Sequence, residues 1–548
     1  MLLMRRFVPA WLCALVLFSP PLAAQDGGAR GTLVILLGGE ATSPIPTLLQ
    51  ANFANQDVAD QLFLRLARLG PKMETSGDKD FVPELARSWS RRDSLTLVFE
   101  LDPRARWHDG VPVTAQDVVF TVQRTLEPGV DVQHATLFQY VESVSAEGDH
   151  RVVFRFKRWY PEQFYDAVFH VQPLPSHLVA QIPATGLAAS DYARHPVGDG
   201  PFRWVRREPG QLIELAANDQ FFLGKPGLSR LVFRFVGDQE ARNAQLLSGE
   251  ADATGNILPV SNVDRFRQNP ELRIIPVPSL TIGYLLFNQR DRADTSRPHP
   301  ILADPAVRRA LTLAIDRRRI IQSVFGPGTD IPVGPVSLLL SVRDTTIKPL
   351  PFDVATARSL LRSHGWEDHD GDGILDRDGH PLALTMNFPG TATILRLVAL
   401  QVQEQLRQFG VKVDAVPLSP GDFMQRSRAG NFDLQMSAVT QDPTPSGIRQ
   451  SWTCGGIGGS NFARYCNPLV DSLIDAAVTG RSDRRARWRR ALTALNDDAP
   501  AIFLYTPTLL AVVHSRFRNV NLRPPSLWQD VWRWSVAPGR ELDRDRRP

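Results

Sequence analysis

The chain has 548 residues, 43% of them hydrophobic and 22% charged, with a net charge of +4. That length exceeds one ordinary core, so two or more lobes are expected. The composition is that of a globular protein, and so small a net charge gives no reason to expect nucleic acid or an anionic membrane as a partner.

The first residues read as a targeting segment. Arg5 and Arg6 precede the apolar run "FVPAWLCALVLF", and small residues follow at Ala23 and Ala24. This pattern predicts a signal peptide over 1–24, cut before Gln25. The apolar run is too short to span a bilayer comfortably. The mature chain is therefore expected to be exported, periplasmic and soluble. Cys13 follows Trp11 and Leu12, where a lipid-anchor site wants small residues, so lipidation is not expected.

Next, "GTLVILLGG" (31–39) predicts a buried strand, and "QDVADQLFLRLARLG" (56–70) an amphipathic helix closed by Gly70. "LTLVFELD" alternates like a strand, "RARWHDGVP" turns, and "TAQDVVFTVQRTL" is a helix with Thr114 as its N-cap. Strands follow at "HRVVFRFK", "GQLIELAAN" and "SRLVFRFVG". "DPAVRRALTLAIDRRRIIQSVF" (304–325) reads as one strong helix, with Asp304 as cap and Pro305 at its first position. Helix, strand, helix and strand then alternate through "DVATARSLLRSHG", "PLALTMNFP", "ATILRLVALQVQEQLRQFG" and "VKVDAVPL". Two more helices, "NPLVDSLIDAAVTG" and "RARWRRALTALNDDA", precede the strand-like "AIFLYTPTLLAVV". The basic run "RSDRRARWRR" (481–490) reads as a solvated helix face, and the charged residues 538–548 as a frayed polar tail. Strands and helices alternate in both halves, which predicts α/β lobes.

Two cysteines remain after export, Cys454 and Cys466, around the glycine-rich "GGIGGSNFARY". An oxidising compartment predicts a disulfide between them. A zinc or nucleophile site is the alternative, but no histidine lies near either cysteine. "DHDGDGILDRDG" (368–379) sets Asp368, Asp370, Asp372 and Asp376 at calcium-loop positions. Its twelfth place holds Gly379 where an EF-hand has a bidentate glutamate, and a strand pattern follows, so it reads as a turn-rich hairpin with calcium as the lesser alternative. No firm metal site and no cofactor are expected. G-x-S-x-G, H-E-x-x-H and a paired Cys and His are all missing from the sequence, which weighs against an exported hydrolase.

Several stretches together resemble the extracytoplasmic solute-binding proteins of ABC importers, family 5, which includes oligopeptide-, dipeptide- and nickel-binding proteins. They are "FVPELARSWS", "FELDPRARWHDGVPVTAQDVVFTVQR", "PVGDGPFRWV", "LLSGEADA", and "LLFNQ" followed by "DPAVRRALTLAIDRRRII". Asp199 stands where the family usually has threonine. The resemblance implies a two-lobed α/β flytrap of the large peptide-binding type, with an extra subdomain in the first lobe. Its main part would be 25–75, 197–280 and 507–537, its inserted subdomain 76–196, and the second lobe 281–506. It implies a monomer that is not an enzyme, holds a small solute between its lobes, and delivers it to membrane permease subunits. The solute would be a peptide; a nickel chelate, haem, an opine or an oligosaccharide is the alternative. In peptide-binding members an aspartate of the second lobe meets the ligand's ammonium, and "FDLQMSAVTQDPTPSG" puts Asp442 there, the alternative being that it caps the turn formed with Pro443 and Pro445. The backbone at Ala438 and Thr440 would pair with an extended peptide. Val439 stands where many peptide binders have tryptophan. Asn52 and Phe53 would either face the ligand from the first lobe or serve as ordinary helix-entry residues, and Trp452 would either wall the pocket or belong to the core.

Overall fold

The structure, a computed structural model, describes residues 31–49, 53–127, 138–257, 259–326 and 328–546. The signal-peptide reading, Cys13 and Asn52 lie outside the described residues.

Three sheets organise the chain. A seven-stranded sheet has the order Leu272–Pro278, Thr508–His514, Ala253–Thr254, Thr32–Leu37, Arg230–Phe235, Leu212–Ala217, Phe202–Glu208. Its strand Thr32–Leu37 is buried along its whole length, as a strand covered on both faces must be. A four-stranded antiparallel sheet, Ala86–Asp93, Thr96–Leu101, Arg151–Phe156, Val141–Ala146, lies within the chain between two strands of the first sheet. The third sheet has the order Lys412–Leu418, Ala383–Pro389, Leu434–Thr440, Thr281–Phe287, Ala501–Tyr505. One of its faces packs the helices Pro305–Leu313 and Thr393–Phe409, and the other packs Trp452, Trp488 and Leu495.

Two neighbouring segments carry the chain between the first and third sheets. Leu272–Pro278 runs through Ser279 and Leu280 into Thr281–Phe287, and Ala501–Tyr505 runs through Thr506 and Pro507 into Thr508–His514. These strands pair antiparallel on both sides of the crossing. The apolar run 501–513 is thus two strands, because Pro507 has no N–H for the ladder.

The loops of the "WHDGVP" and "PVGDGP" stretches are locked to each other. His108 Nδ1 accepts from the Gly198 amide at 3.1 Å, and its Nε2 donates to the Gly200 carbonyl at 3.0 Å. A Cβ on Gly198 would stand 1.9 Å from the Leu62 carbonyl oxygen, so only glycine fits there. Burial holds the His108 imidazole down at about 4, neutral at physiological pH. Helix Ala115–Thr125 follows, its N-terminus held by Asp117, which accepts from the Thr114 amide at 2.8 Å. These stretches shape the scaffold.

Three expectations are corrected. The helix expected over 56–70 is Phe53–Leu62, and Ala67–Leu69 is a strand. Helix continuation is cut because Gly200 N donates to Leu62 O at 2.8 Å and Leu64 N to Asp199 Oδ1 at 2.9 Å. The helix expected over 304–325 is two, Pro305–Leu313 and Arg317–Val324, because Asp316 caps the second by accepting from Arg319 N at 3.0 Å. The tail is docked and not frayed. The Asp545 carboxylate is buried, accepts from Thr32 N at 2.6 Å, and pairs with Arg516 at 2.5 Å. Arg516 also holds Asp252 at 3.0 Å, and Arg544 reaches the same Asp252 at 2.6 Å.

Candidate functional site

Strand Leu434–Thr440 lies inside the third sheet, yet half of one edge is open. On one side it pairs with Thr281–Phe287 along its full length, Thr281 facing Thr440. On the other it pairs with Ala383–Pro389 only at Met386↔Leu434 and Asn387↔Gln435. Gln441 N donates to Leu280 O, so the odd-numbered residues point their amides towards Thr281–Phe287. By the alternation of an antiparallel ladder, the amides and carbonyls of Ala438 and Thr440 point to the open side. Ala438 is exposed, and Val439 is 41% exposed.

Asp442 stands exposed just past the end of this edge. The chain around it is held on both flanks. Ser337 N donates to Gln441 Oε1 at 3.1 Å, and Gln441 Nε2 donates to Pro335 O. Thr440 Oγ1 bonds Thr281 Oγ1 at 2.7 Å. Across from Asp442 is the helix Gln163–Val168 that follows the four-stranded sheet. Burial raises the Asp166 carboxyl well above the usual range, opposed by a bond from Tyr160 OH at 2.7 Å and reinforced by the Glu162 and Asp442 charges. Burial likewise raises the Tyr165 hydroxyl, and the Asp442 charge adds to it. The Asp442 charge thus adds to the upward shift of both groups on helix Gln163–Val168.

The other candidates fall in different places. Phe53 is 61% exposed at the first turn of helix Phe53–Leu62. Trp452 is buried at 4% exposure, its ring centroid 5.9 Å from Tyr284 and 5.2 Å from Phe503, so it belongs to the core packed on the third sheet. Cys454 and Cys466 form a disulfide with an S–S distance of 2.14 Å. In the hairpin, Asp376–Arg377 pairs with His380–Pro381. Asp368, Asp370 and Asp376 offer oxygens within 4.8 Å of one another. These carboxylates, and Asp372, already serve the turn. Asp368 accepts from Gly371 N and Gly373 N, Asp370 from Asp372 N, Asp372 from Ile374 N, and Asp376 from His369 N.

One constellation was missed in the sequence. Glu162, 3% exposed, receives hydrogen bonds from Thr75, Thr444, Ser446 and Arg484, the last from the basic run read as a solvated face. Nothing local marks it, because its partners are scattered along the chain.

Residues 80–459 match the profile described as Bacterial extracellular solute-binding proteins, family 5 Middle. The chain belongs to this family. Among its relatives, it is 25% identical to the oligopeptide-binding protein AppA of Bacillus subtilis over 516 residues, covering 92% of each chain. It is 24% identical to di/tripeptide-binding protein 2 of Pseudomonas aeruginosa over 495 residues, 85% of this chain and 88% of that one. The solved structure of AppA in complex with a nonapeptide superposes with a TM-score of 0.79 at 25% identity, over 92% of this chain and 99% of AppA. NikA of Brucella suis in complex with Fe(III)-EDTA has the same fold, with a TM-score of 0.80 at 20% identity over 92% of this chain and all of NikA. The two-lobed architecture with a first-lobe subdomain is that of the family. No helix among the described residues is long and apolar enough to cross a membrane.

Proposed function

We propose that the chain is the extracytoplasmic solute-binding component of an ABC importer, that it captures peptides between its lobes, and that it hands them to membrane permease subunits. The first lobe would comprise 25–75, 197–280 and 507–537 with the subdomain 76–196, and the second 281–506. Export to the periplasm would rest on the segment 1–24.

The observation that carries this reading is the open edge at Ala438 and Thr440 ending at Asp442. An extended peptide adds to such an edge through its own amides and carbonyls, which gives affinity with little side-chain selectivity. Its free amino end would then lie by Asp442, and a buried ammonium needs a carboxylate. Val439, 41% exposed, puts only a small aliphatic side chain at that end of the edge. The likeness to AppA, whose complex holds a nonapeptide, supports the same reading.

Calorimetry tests it with four pairings: the natural chain and Asp442→Asn, each with a free and an N-acetylated peptide. Removing one partner of a buried charge pair costs about 3–5 kcal/mol. Affinity for the free peptide should fall by roughly two to three powers of ten, and for the acetylated one much less. Equal losses for both peptides would mean that Asp442 holds its turn and does not read the amine. No peptide binding by the natural chain would move the case to a non-peptide solute.

A further inference from the structure

The Glu162 carboxylate is buried where the lobes meet, and four side chains donate to it. Oε1 accepts from Thr75 Oγ1 at 2.7 Å and from Arg484 at 2.5 Å. Oε2 accepts from Thr444 Oγ1 at 2.6 Å and from Ser446 Oγ. Thr75 sits in the loop joining strands Ala67–Leu69 and Phe81–Pro83 and belongs, like Glu162, to the first-lobe side. Thr444, Ser446 and Arg484 belong to the second. Thr444 and Ser446 stand two and four residues beyond Asp442, in the turn that carries it. Arg484, the first residue of helix Arg484–Asp498, also reaches Glu74 at 3.0 Å. Arg449 donates to Tyr140 OH at 3.1 Å at the edge of the same contact.

A buried carboxylate is tolerated only when it is paired and hydrogen-bonded. Glu162 meets that condition through three donors from the opposite lobe. Separating the lobes removes those three and leaves Thr75. The exchange of water for protein donors roughly breaks even in free energy, so such a contact sets geometry more than it adds stability. Its geometric effect falls on the turn 442–446, because two hydroxyls of that turn are pinned to one carboxylate.

We propose that Glu162 is a positioning residue that couples lobe closure to assembly of the binding edge. The Asp442 turn is fixed in its ligand-reading position only when Thr444, Ser446 and Arg484 close on Glu162. This rests on the reading of Asp442 as the amine contact, but Glu162 itself touches no ligand. Removing the coupling therefore speeds ligand release and leaves capture by the open form unchanged.

The experiment uses Glu162→Gln and Thr444→Val in the full chain, with stopped-flow peptide binding and small-angle X-ray scattering of the ligand-free protein. Losing a hydrogen bond to a buried charge corresponds to about a tenfold to hundredfold change. Glu162→Gln should raise the release rate by that factor for free peptides and much less for N-acetylated ones, with the association rate unchanged and a larger ligand-free radius of gyration. Thr444→Val should do the same more weakly, and the double variant should release no faster than Glu162→Gln alone. A lowered melting temperature with an unchanged release rate would overturn the proposal, as would a release rate that rises equally for free and N-acetylated peptides. If the natural chain binds no peptide, the peptide reading fails, and the scattering comparison still decides the coupling: equal radii in all variants would refute it.

Discussion

The tail network offers the sharpest test of the energetics. Arg516 is fully buried between Asp252 and Asp545 and also donates to Thr32 O at 2.6 Å. Replacing it by methionine keeps most of the volume and removes the only guanidinium that reaches Asp545 among the described residues. Asp252 keeps Arg544 at 2.6 Å, so one carboxylate is stranded. A stranded buried charge costs about 3–5 kcal/mol. Asp545→Asn is milder. Arg516 keeps Asp252, and the loss is one hydrogen bond to charge, about 1.5–3 kcal/mol. Urea unfolding followed by tryptophan fluorescence reads this region, because Trp528 and Trp534 are buried and Trp534 packs on Phe517, beside Arg516. With a slope of about 3 kcal/mol/M, Arg516→Met should lower the midpoint by roughly 1–2 M. Hydrogen exchange should quicken at the Thr32 amide, whose acceptor is Asp545. An Arg516→Met midpoint within about 0.3 M of the natural chain, or Asp545→Asn costing more than Arg516→Met, would refute the charge accounting.

Two further outcomes follow from single buried groups. Burial pushes the Asp199 carboxyl up to about 8 from 3.8, and its Oδ2 has no hydrogen-bond partner among the described residues. A raised folded value means that stability is present while the group is protonated, and falls as pH rises from about 4 through 8. The ceiling is about 6 kcal/mol at alkaline pH, so Asp199→Thr should flatten the melting-temperature profile between pH 5 and 9, and an unchanged slope would refute it. The disulfide closes a loop of sequence separation 12. Replacing Cys454 and Cys466 by serine should cost about 3 kcal/mol in the chain-entropy view, read as a lower urea midpoint, and alkylation without reductant should label neither cysteine of the natural chain.

The sequence by itself determined what depends on neighbours along the chain. Thr114 with Asp117, and Asp304 with Pro305, start helices because a cap satisfies amides within three or four residues of itself. The "DG" turn, the alternation of "LTLVFELD" and the hairpin at 368–379 are local in the same sense, and the long "FELDPRARWHDGVPVTAQDVVFTVQR" stretch sufficed to recognise the family. Asp442 was legible as a candidate because its turn follows a strand pattern. That the edge beside it is open was not, since that depends on where strand Ala383–Pro389 stops pairing.

Tertiary structure decided the rest. Periodicity carries a helix through Gly70, but Gly200 and Asp199 capture the carbonyl of Leu62 and the amide of Leu64 and end it early. The tail looks frayed by composition, but Asp545 finds Arg516 and Thr32 at the other end of the chain. Trp452, equally suited to a pocket or a core, is assigned to the core by Tyr284 and Phe503. Glu162 draws donors from Thr75, Thr444, Ser446 and Arg484, one of them 322 positions away. A buried charge takes its stability from partners that folding brings together, and no local pattern records which partners those will be.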